Sequence, residues 1–161
     1  MTVDGYVCGP NGELDWMTWD WDDELKKYVN ELHEHVDTIL LGRKMAGGFI
    51  QHWTAVAANP EDESYAFGKK MIDTPKIVFS KTLDRSEWDN TGIANDLEGE
   101  IDKLKDSEGG DIIAYGGAEF DSSLIEAGII DEYHLFINPV ALGKGLTIFH
   151  GLDNARELSL T

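Results

Sequence analysis

Hydrophobic and polar positions follow two different periods along this chain, and the two periods predict different elements. From residue 25 to 36, apolar side chains recur at the i, i+3, i+4, i+7 spacing of an amphipathic helix, with acidic residues at its beginning. A segment over residues 3–8 alternates and ends in a turn at 9–12, which predicts a short strand. Short apolar runs predict four further strands, at residues 37–42, 76–80, 111–115 and 132–139.

Helical patterns separate these strands. They cover residues 43 to about 51, 63–70, 96–105 and 118–127, with Gly128 as a stop signal. Strands that alternate with helices form βαβ units, and such units build a mainly parallel sheet with helices on both faces. The sequence therefore predicts an α/β protein, and no linker or repeat divides its 161 residues into more than one domain.

The charge of the chain excludes some partners. Asp and Glu number 31 against 13 Lys and Arg, a net charge of −18. A field of this sign repels phosphate backbones and anionic membrane surfaces, so we expect neither nucleic-acid binding nor membrane binding. Arg43 stands out because the chain has only three arginines.

Cysteine and histidine usage indicates the cellular compartment and the absence of a metal site. The single cysteine, Cys8, allows no internal disulfide, and this favours a reducing, cytoplasmic setting. No run of 18 apolar residues and no leader pattern is present. We expect no metal site, because His33 and His35 lie on different faces of a helix and the other histidines are scattered.

Two junctions between a strand and a helix carry candidate chemistry. At the first, Gly42 is followed by Arg43 and Lys44, and cations at a helix N-terminus are unfavourable unless an anion joins them. The second consists of three small residues: Gly116, Gly117 and Ala118. Adjacent glycines let the backbone approach a phosphate at the helix start. Either junction could be an ordinary βα turn, but together they favour a phosphate-bearing ligand.

Several short segments, taken in order and spacing, resemble one known family. They are residues 3–7, 11–16, 40–44, 78–83 with Trp88, 115–118, 124–125, 128–133 and 139–145 with Phe149. These segments resemble the dihydrofolate reductase-like fold, and within it the reductase domain of bacterial riboflavin biosynthesis and its small stand-alone relatives. The resemblance implies a three-layer α/β/α architecture around a central, mostly parallel mixed sheet, in one domain over residues 1–161. It also implies that a first strand and a final hairpin are missing here, through trimming or through edge strands that a partner completes.

The resemblance implies a cofactor and the residues that hold it. In the family the two glycine turns cradle the pyrophosphate of NADPH, and the segment at Ser80 lies near the adenosine end. The implied contacts come from Gly42, Arg43, Lys44, Ser80, Lys81, Gly116, Gly117 and Ala118. Arginine and lysine near a 2′-phosphate favour NADP over NAD. Met45 stands where relatives often have a threonine, which removes one phosphate contact.

Three residues are catalytic candidates by the same resemblance: Asp4, Asp15 and Trp16. Asp4 precedes Gly5 in the motif that flanks the nicotinamide in relatives, where it could position substrate or assist protonation. The same pair of residues also makes a plain turn at a strand end. Asp15 and Trp16 border the mouth of the active site in relatives.

The resemblance therefore implies an NADPH-dependent reductase. Such an enzyme transfers hydride to a C=O or C=N carbon of a small substrate, for example a pterin- or pyrimidine-like one, and the cofactor supplies the chemistry. A non-catalytic nucleotide-binding or regulatory protein of the same fold is the alternative. We also expect a homodimer, because relatives pair through strands near the C-terminal half and residues 133–137 are apolar, although the net charge opposes association.

Overall fold

The computed structural model describes residues 1–17 and 21–160. The chain forms two compact units, which we call unit 1 (Met1–Trp19 with Ala118–Thr161) and unit 2 (Asp20–Gly117). Unit 2 contains helices α1 (Asp23–Leu32), α2 (Arg43–Ala57), α3 (Tyr65–Asp73) and α4 (Leu97–Lys105). Its strands are β1 (Val36–Gly42), β2 (Lys76–Phe79), β3 (Thr91–Ala94) and β4 (Asp111–Ala114). Unit 1 contains helix α5 (Ala118–Ala127).

The four strands of unit 2 form one parallel sheet in the order β3-β2-β1-β4. In its register, Leu40 of β1 lies beside Ile77 of β2 and Ala114 of β4. The α/β class and the three strands predicted at 37–42, 76–80 and 111–115 are confirmed, with small differences in their ends. Strand β3 was not predicted, because its four residues show neither an apolar run nor a clear alternation.

Apolar side chains of the sheet and of α2 and α3 make the core of unit 2. Ile39, Leu41, Met71 and Val78 are fully buried in it. Buried residues follow one another without alternation at the end of β1, as expected for a parallel strand covered on both faces. This covering explains why the central strand was recognisable from its apolar run.

Local capping signals explain the starts of α1 and α4 in unit 2. Asp22 precedes α1 and its side chain accepts a hydrogen bond from the Leu25 N–H at 2.8 Å, while Asp96 caps α4 in the same way. The prediction that the first helix reaches residue 36 was wrong. The helix ends at Leu32 and Val36 begins β1, because a single apolar residue fits the period of a helix and of a strand equally well.

Unit 1 contains α5, and the helix predicted at 118–127 is confirmed with Gly128 after it at a φ of 75°. The strands predicted at 3–8 and 132–139 were wrong. The chain turns at its start, since the Thr2 N–H donates to the Tyr6 carbonyl at 2.8 Å. Each segment forms only an isolated bridge, Thr2 with Asn138 and Cys8 with Leu146. Alternation predicts an extended backbone but does not supply the neighbouring strand that a ladder needs.

Within residues 1–17 and 21–160, no helix combines the length and the apolar character that crossing a bilayer requires.

Candidate functional site

The carboxyl ends of β1, β2 and β4 bring predicted ligand residues together at one edge of the sheet in unit 2. Gly42 at the end of β1 lies opposite Phe79 at the end of β2. The Gly42 N–H donates to the Gly116 carbonyl, with 2.9 Å between nitrogen and oxygen. One hydrogen bond therefore joins the two glycine turns, and parallel strands place ligand sites at this edge.

The N-terminus of α2 has the chemistry of an anion site. Gly42 is its N-cap, no side chain caps it, and its first turn contains no acidic residue. Arg43 and Lys44 occupy the first two helical positions and are exposed. The N–H groups of the first turn, the helix dipole and two cations all favour a bound anion here.

The second glycine turn leaves room for a ligand. Gly116 has a φ of 94°, a conformation that favours glycine, and the peptide bond to Gly117 is cis. A Cβ built on Gly117 would meet no other atom within 4 Å, so the space over this residue is open. Ala118 begins α5 and is buried in unit 1.

Ser80 and Lys81 follow β2 at the same edge and differ in accessibility. Ser80 is buried, its N–H donates to the Ala94 carbonyl, and its hydroxyl accepts from the N–H groups of Thr82 and Leu83 at 3.1 and 3.0 Å. The side chain therefore holds the shape of its own loop. Lys81 is exposed.

A cavity of about 280 Å³ lies beside this loop, at the end of β3. Its polar lining consists of the carboxylates of Asp84, Asp96 and Glu100, the amide of Asn95 and the ammonium group of Lys103, which pairs with Glu100 at 3.3 Å. Carboxylates accept hydrogen bonds from hydroxyl and amino groups and repel phosphates. With three carboxylates and one ammonium group in its lining, the cavity is net negative and does not suit a phosphate, whereas the exposed cations Arg43, Lys44 and Lys81 do.

Asp4 in unit 1 is a structural anchor in this conformation. Its carboxylate accepts hydrogen bonds from the Thr2 hydroxyl at 2.6 Å and from the N–H groups of Gly143 and Leu142 at 2.7 and 3.2 Å. These bonds, with Thr2 the largest contributor, lower the pKa of Asp4. An exposed carboxylate with a lowered pKa is ionised at neutral pH and is a poor proton donor.

Asp15 and Trp16 also lie in unit 1, in a turn. Asp15 is exposed and Trp16 is half-buried. The Trp16 indole N–H is buried and finds no acceptor among the described residues. Trp16 therefore offers a buried donor rather than one that is open to a ligand, and the catalytic roles of Asp15 and Trp16 stay predictions.

Asp121 is a carboxyl that was not predicted. Its Oδ1 is buried with no hydrogen-bond partner in the described part of the chain, and burial raises the pKa of Asp121 to about 7. The signal was present in the spacing, since Asp121 follows Ala118 by three positions and precedes Ile125 by four, and both neighbours are buried.

Metal-ligating side chains do not cluster in the described ranges. No group of three or more His, Cys, Asp or Glu side chains there is arranged to hold a metal ion.

Comparison with known families identifies the fold family. The model of the RibD C-terminal domain matches residues 1–161. The chain belongs to the RibD C-terminal domain family. The dihydrofolate reductase-like fold inferred from the sequence agrees with this assignment, and relatives within the family include a riboflavin biosynthesis protein.

Three relatives show how far the RibD C-terminal domain of this chain resembles known proteins. The uncharacterized protein YyaP of Bacillus subtilis (strain 168) is 38% identical over 99% of this chain and 81% of its own length. The uncharacterized protein YwjB of the same organism is 26% identical, covering 99% and 84%. The riboflavin biosynthesis protein RibD of Corynebacterium ammoniagenes is 24% identical over 95% of this chain but 45% of its own length.

A solved structure confirms the fold of this RibD C-terminal domain. It is a crystal structure from Shewanella sp. PV-4 of a protein provisionally named a riboflavin biosynthesis protein. It superposes with a TM-score of 0.71 over 96% of this chain and 82% of that chain, at 20% sequence identity.

Proposed function

We propose that this protein is an NADPH-dependent reductase of a small heterocyclic substrate. The observation that carries the proposal is the N-terminus of α2, where Gly42, which directly precedes two cations, is hydrogen-bonded to Gly116 of the open second glycine turn. Membership in a family related to a riboflavin biosynthesis protein supports a reductase rather than another nucleotide-binding activity.

The residues of unit 2 fit a dinucleotide. The first N–H groups of α2 and the space over Gly117 would hold the pyrophosphate, and Ala118 continues this turn into α5. Arg43, Lys44 and Lys81 would bind the phosphate charge of the dinucleotide. When bound, NADPH supplies the hydride.

Unit 1 carries groups that suit a polar heterocycle. Three of its buried polar atoms have no partner among the described residues: Trp16 Nε1, Asp121 Oδ1 and Tyr133 Oη. An indole N–H donates a hydrogen bond, and a phenol and a protonated carboxyl each donate and accept, which are the roles that a pterin or pyrimidine ring can pair with. Because Asp121 retains a proton near neutral pH and Asp4 does not, Asp121 is better suited than Asp4 to supply the proton.

Ligand-induced thermal stabilisation tests the cofactor. We expect NADPH to raise the melting temperature more than NADH, and Gly117→Ala to abolish the rise. At Gly117 a methyl group meets no protein atom but occupies the ligand space. Gly48→Ala, at an exposed position of α2 with equally open surroundings, is the matched control and should retain the rise. A wild-type protein that neither cofactor stabilises at millimolar concentration would refute the proposal.

Loss of reduced nicotinamide absorbance tests catalysis. NADPH oxidation should accelerate with carbonyl- or imine-containing pterins and pyrimidines when the protein is added. Tight NADPH binding without turnover of any of these compounds would instead favour the non-catalytic nucleotide-binding alternative.

A cytoplasmic location belongs to the same proposal. The single thiol of Cys8 is half-buried and has no second thiol to pair with in the chain, as a protein of a reducing compartment allows.

A further inference from the structure

A buried polar pair lies behind the second glycine turn of unit 2. His33 follows α1 directly and is 2% exposed. Its Nδ1 lies 2.6 Å from the Val29 carbonyl oxygen, so Nδ1 carries the proton and donates. Its Nε2 is therefore the acceptor of a hydrogen bond from the Tyr115 hydroxyl.

Both partners of this pair are neutral and confined. Desolvation lowers the pKa of His33 and raises the pKa of Tyr115, so each side chain stays uncharged at neutral pH. The Phe67 ring packs edge-on against His33 with 5.0 Å between centroids, and Phe49 packs against Tyr115 at the same separation. Lys70, the charged group facing His33, donates from Nζ to the His33 carbonyl.

Tyr115 connects this pair to the ligand edge. Its N–H donates to the Leu40 carbonyl at 3.1 Å, and the carbonyl of the next residue, Gly116, accepts the hydrogen bond from Gly42. Tyr115 is therefore adjacent to the hydrogen bond that joins the two glycine turns, and the position of its side chain affects both of them. A phenylalanine would fill the same apolar surroundings, so the contribution of the hydroxyl is a hydrogen bond that fixes the orientation of the ring and not additional buried area.

We infer that the hydrogen bond between His33 and Tyr115 positions the Gly116–Gly117 turn for the dinucleotide. This inference rests on the proposed function, and it makes His33 and Tyr115 positioning residues that touch no ligand. Glycine-rich turns can adopt many backbone conformations. A directional hydrogen bond at the base of this turn reduces their number before the ligand binds, and this lowers the entropic cost of binding.

The NADPH dissociation constants of substituted proteins test the inference. Tyr115→Phe removes the donor, and His33→Asn keeps a group opposite Val29 but removes the acceptor at the Nε2 position. His33→Gln restores a polar atom at that position. We expect the first two to raise the dissociation constant about 3- to 10-fold, and His33→Gln to stay within about twofold of the wild type. The double variant Tyr115→Phe with His33→Asn should bind NADPH as tightly as either single variant, because the two substitutions remove the same hydrogen bond.

Two controls separate positioning from general stability. Tyr65→Phe removes a hydroxyl with no hydrogen bond among the described residues, and His35→Asn changes an exposed imidazole two residues from His33. Neither should change the dissociation constant. Unchanged NADPH affinity in Tyr115→Phe, even with a lower melting temperature, would overturn the inference and leave the pair a purely structural one. Absence of NADPH binding by the wild type would instead overturn the proposed function itself.

Discussion

Asp4 and Asp121 are the same residue type in the same unit, and their surroundings give them opposite protonation. Asp4 is exposed and accepts three hydrogen bonds that favour its charged form. Asp121 buries Oδ1 without a donor, which favours its neutral form. At the scale of the residue, the protonation of a carboxyl group in unit 1 therefore depends on its hydrogen-bond donors and its burial and not on the residue type.

Asp121→Asn should change how stability depends on pH. The pKa of Asp121 is raised to about 7 in the folded protein, against about 3.9 when unfolded. The folded state binds more protons between these values, so the stabilisation present at low pH is lost as the pH rises through this window. Asparagine does not ionise, so the variant does not lose stability as the pH rises. Urea unfolding near pH 8 should show the variant more stable than the wild type by about 2–4 kcal/mol.

The difference between Asp121→Asn and the wild type should vanish below about pH 4. Glu126→Gln, at an exposed position of α5, should show no such pH-dependent gain. A wild-type stability that does not fall between about pH 4 and 7 would contradict the assigned environment of Asp121.

Arg43→Ala should weaken NADPH binding. Alanine removes a cation and its forked donors from the start of α2 while leaving the backbone N–H groups in place. Isothermal titration should show a dissociation constant raised about 10- to 100-fold. Lys27→Ala, which breaks only an exposed pair with Glu31 on α1, should bind NADPH normally. Equal affinity in Arg43→Ala and the wild type would make the first junction an ordinary βα turn.

At the scale of the element, α2 and α3 approach closely because a glycine lies between them. A Cβ built on Gly68 of α3 would lie 2.7 Å from a Val56 methyl carbon and 3.2 Å from the Ala57 backbone nitrogen. Alanine is favoured over glycine in an isolated helix, but here the neighbouring helix occupies the space. The packing of α2 on α3 supports the helix whose N-terminus forms the anion site.

Gly68→Ala should therefore destabilise the protein by about 1–3 kcal/mol, although alanine has the higher helix propensity. The measurement is the free energy of unfolding in urea. Adding Val56→Ala should recover part of the loss by removing the contacting methyl groups. Gly48→Ala, in open space on α2, should be neutral or stabilising by up to about 1 kcal/mol. A stabilised Gly68→Ala protein would show that the helices are farther apart than described.

At the scale of the whole molecule, net charge and exposed apolar surface oppose each other. The chain carries −18. Leu135 and Ile137 in unit 1 are 41% and 49% exposed. Salt screens charges separated by more than about 8 Å at physiological ionic strength. Apolar contacts can then outweigh the repulsion between two copies.

We propose that the protein is a homodimer in physiological salt and dissociates at low salt. Light scattering should give about twice the monomer mass of 17.9 kDa in the first condition. Ile137→Glu adds a charge to the exposed apolar segment and should give monomers. Leu14→Glu, at a comparably exposed position, should not. A monomer at both salt concentrations would exclude the dimer.

Local pattern predicted the larger part of unit 2. Apolar runs specified β1, β2 and β4, because a strand buried on both faces needs apolar residues throughout. Cations after Gly42 and the paired glycines at 116 and 117 marked the edge where the structure joins their turns. These signals are contained within a few consecutive residues, and the resemblance to a known family rested on their order.

Only the tertiary structure decided which segments find partners. Residues 3–8 and 132–139 alternate like strands, yet each gains a single isolated bridge, because no neighbouring strand follows from a local period. Ser80 uses its hydroxyl on its own loop, and Tyr115 meets a histidine 82 positions away in sequence. The sequence by itself determined β1, β2, β4, most helices and the glycine turns through local spacing. Hydrogen bonds, burial and protonation depend on residues distant in sequence, and these the tertiary structure decided.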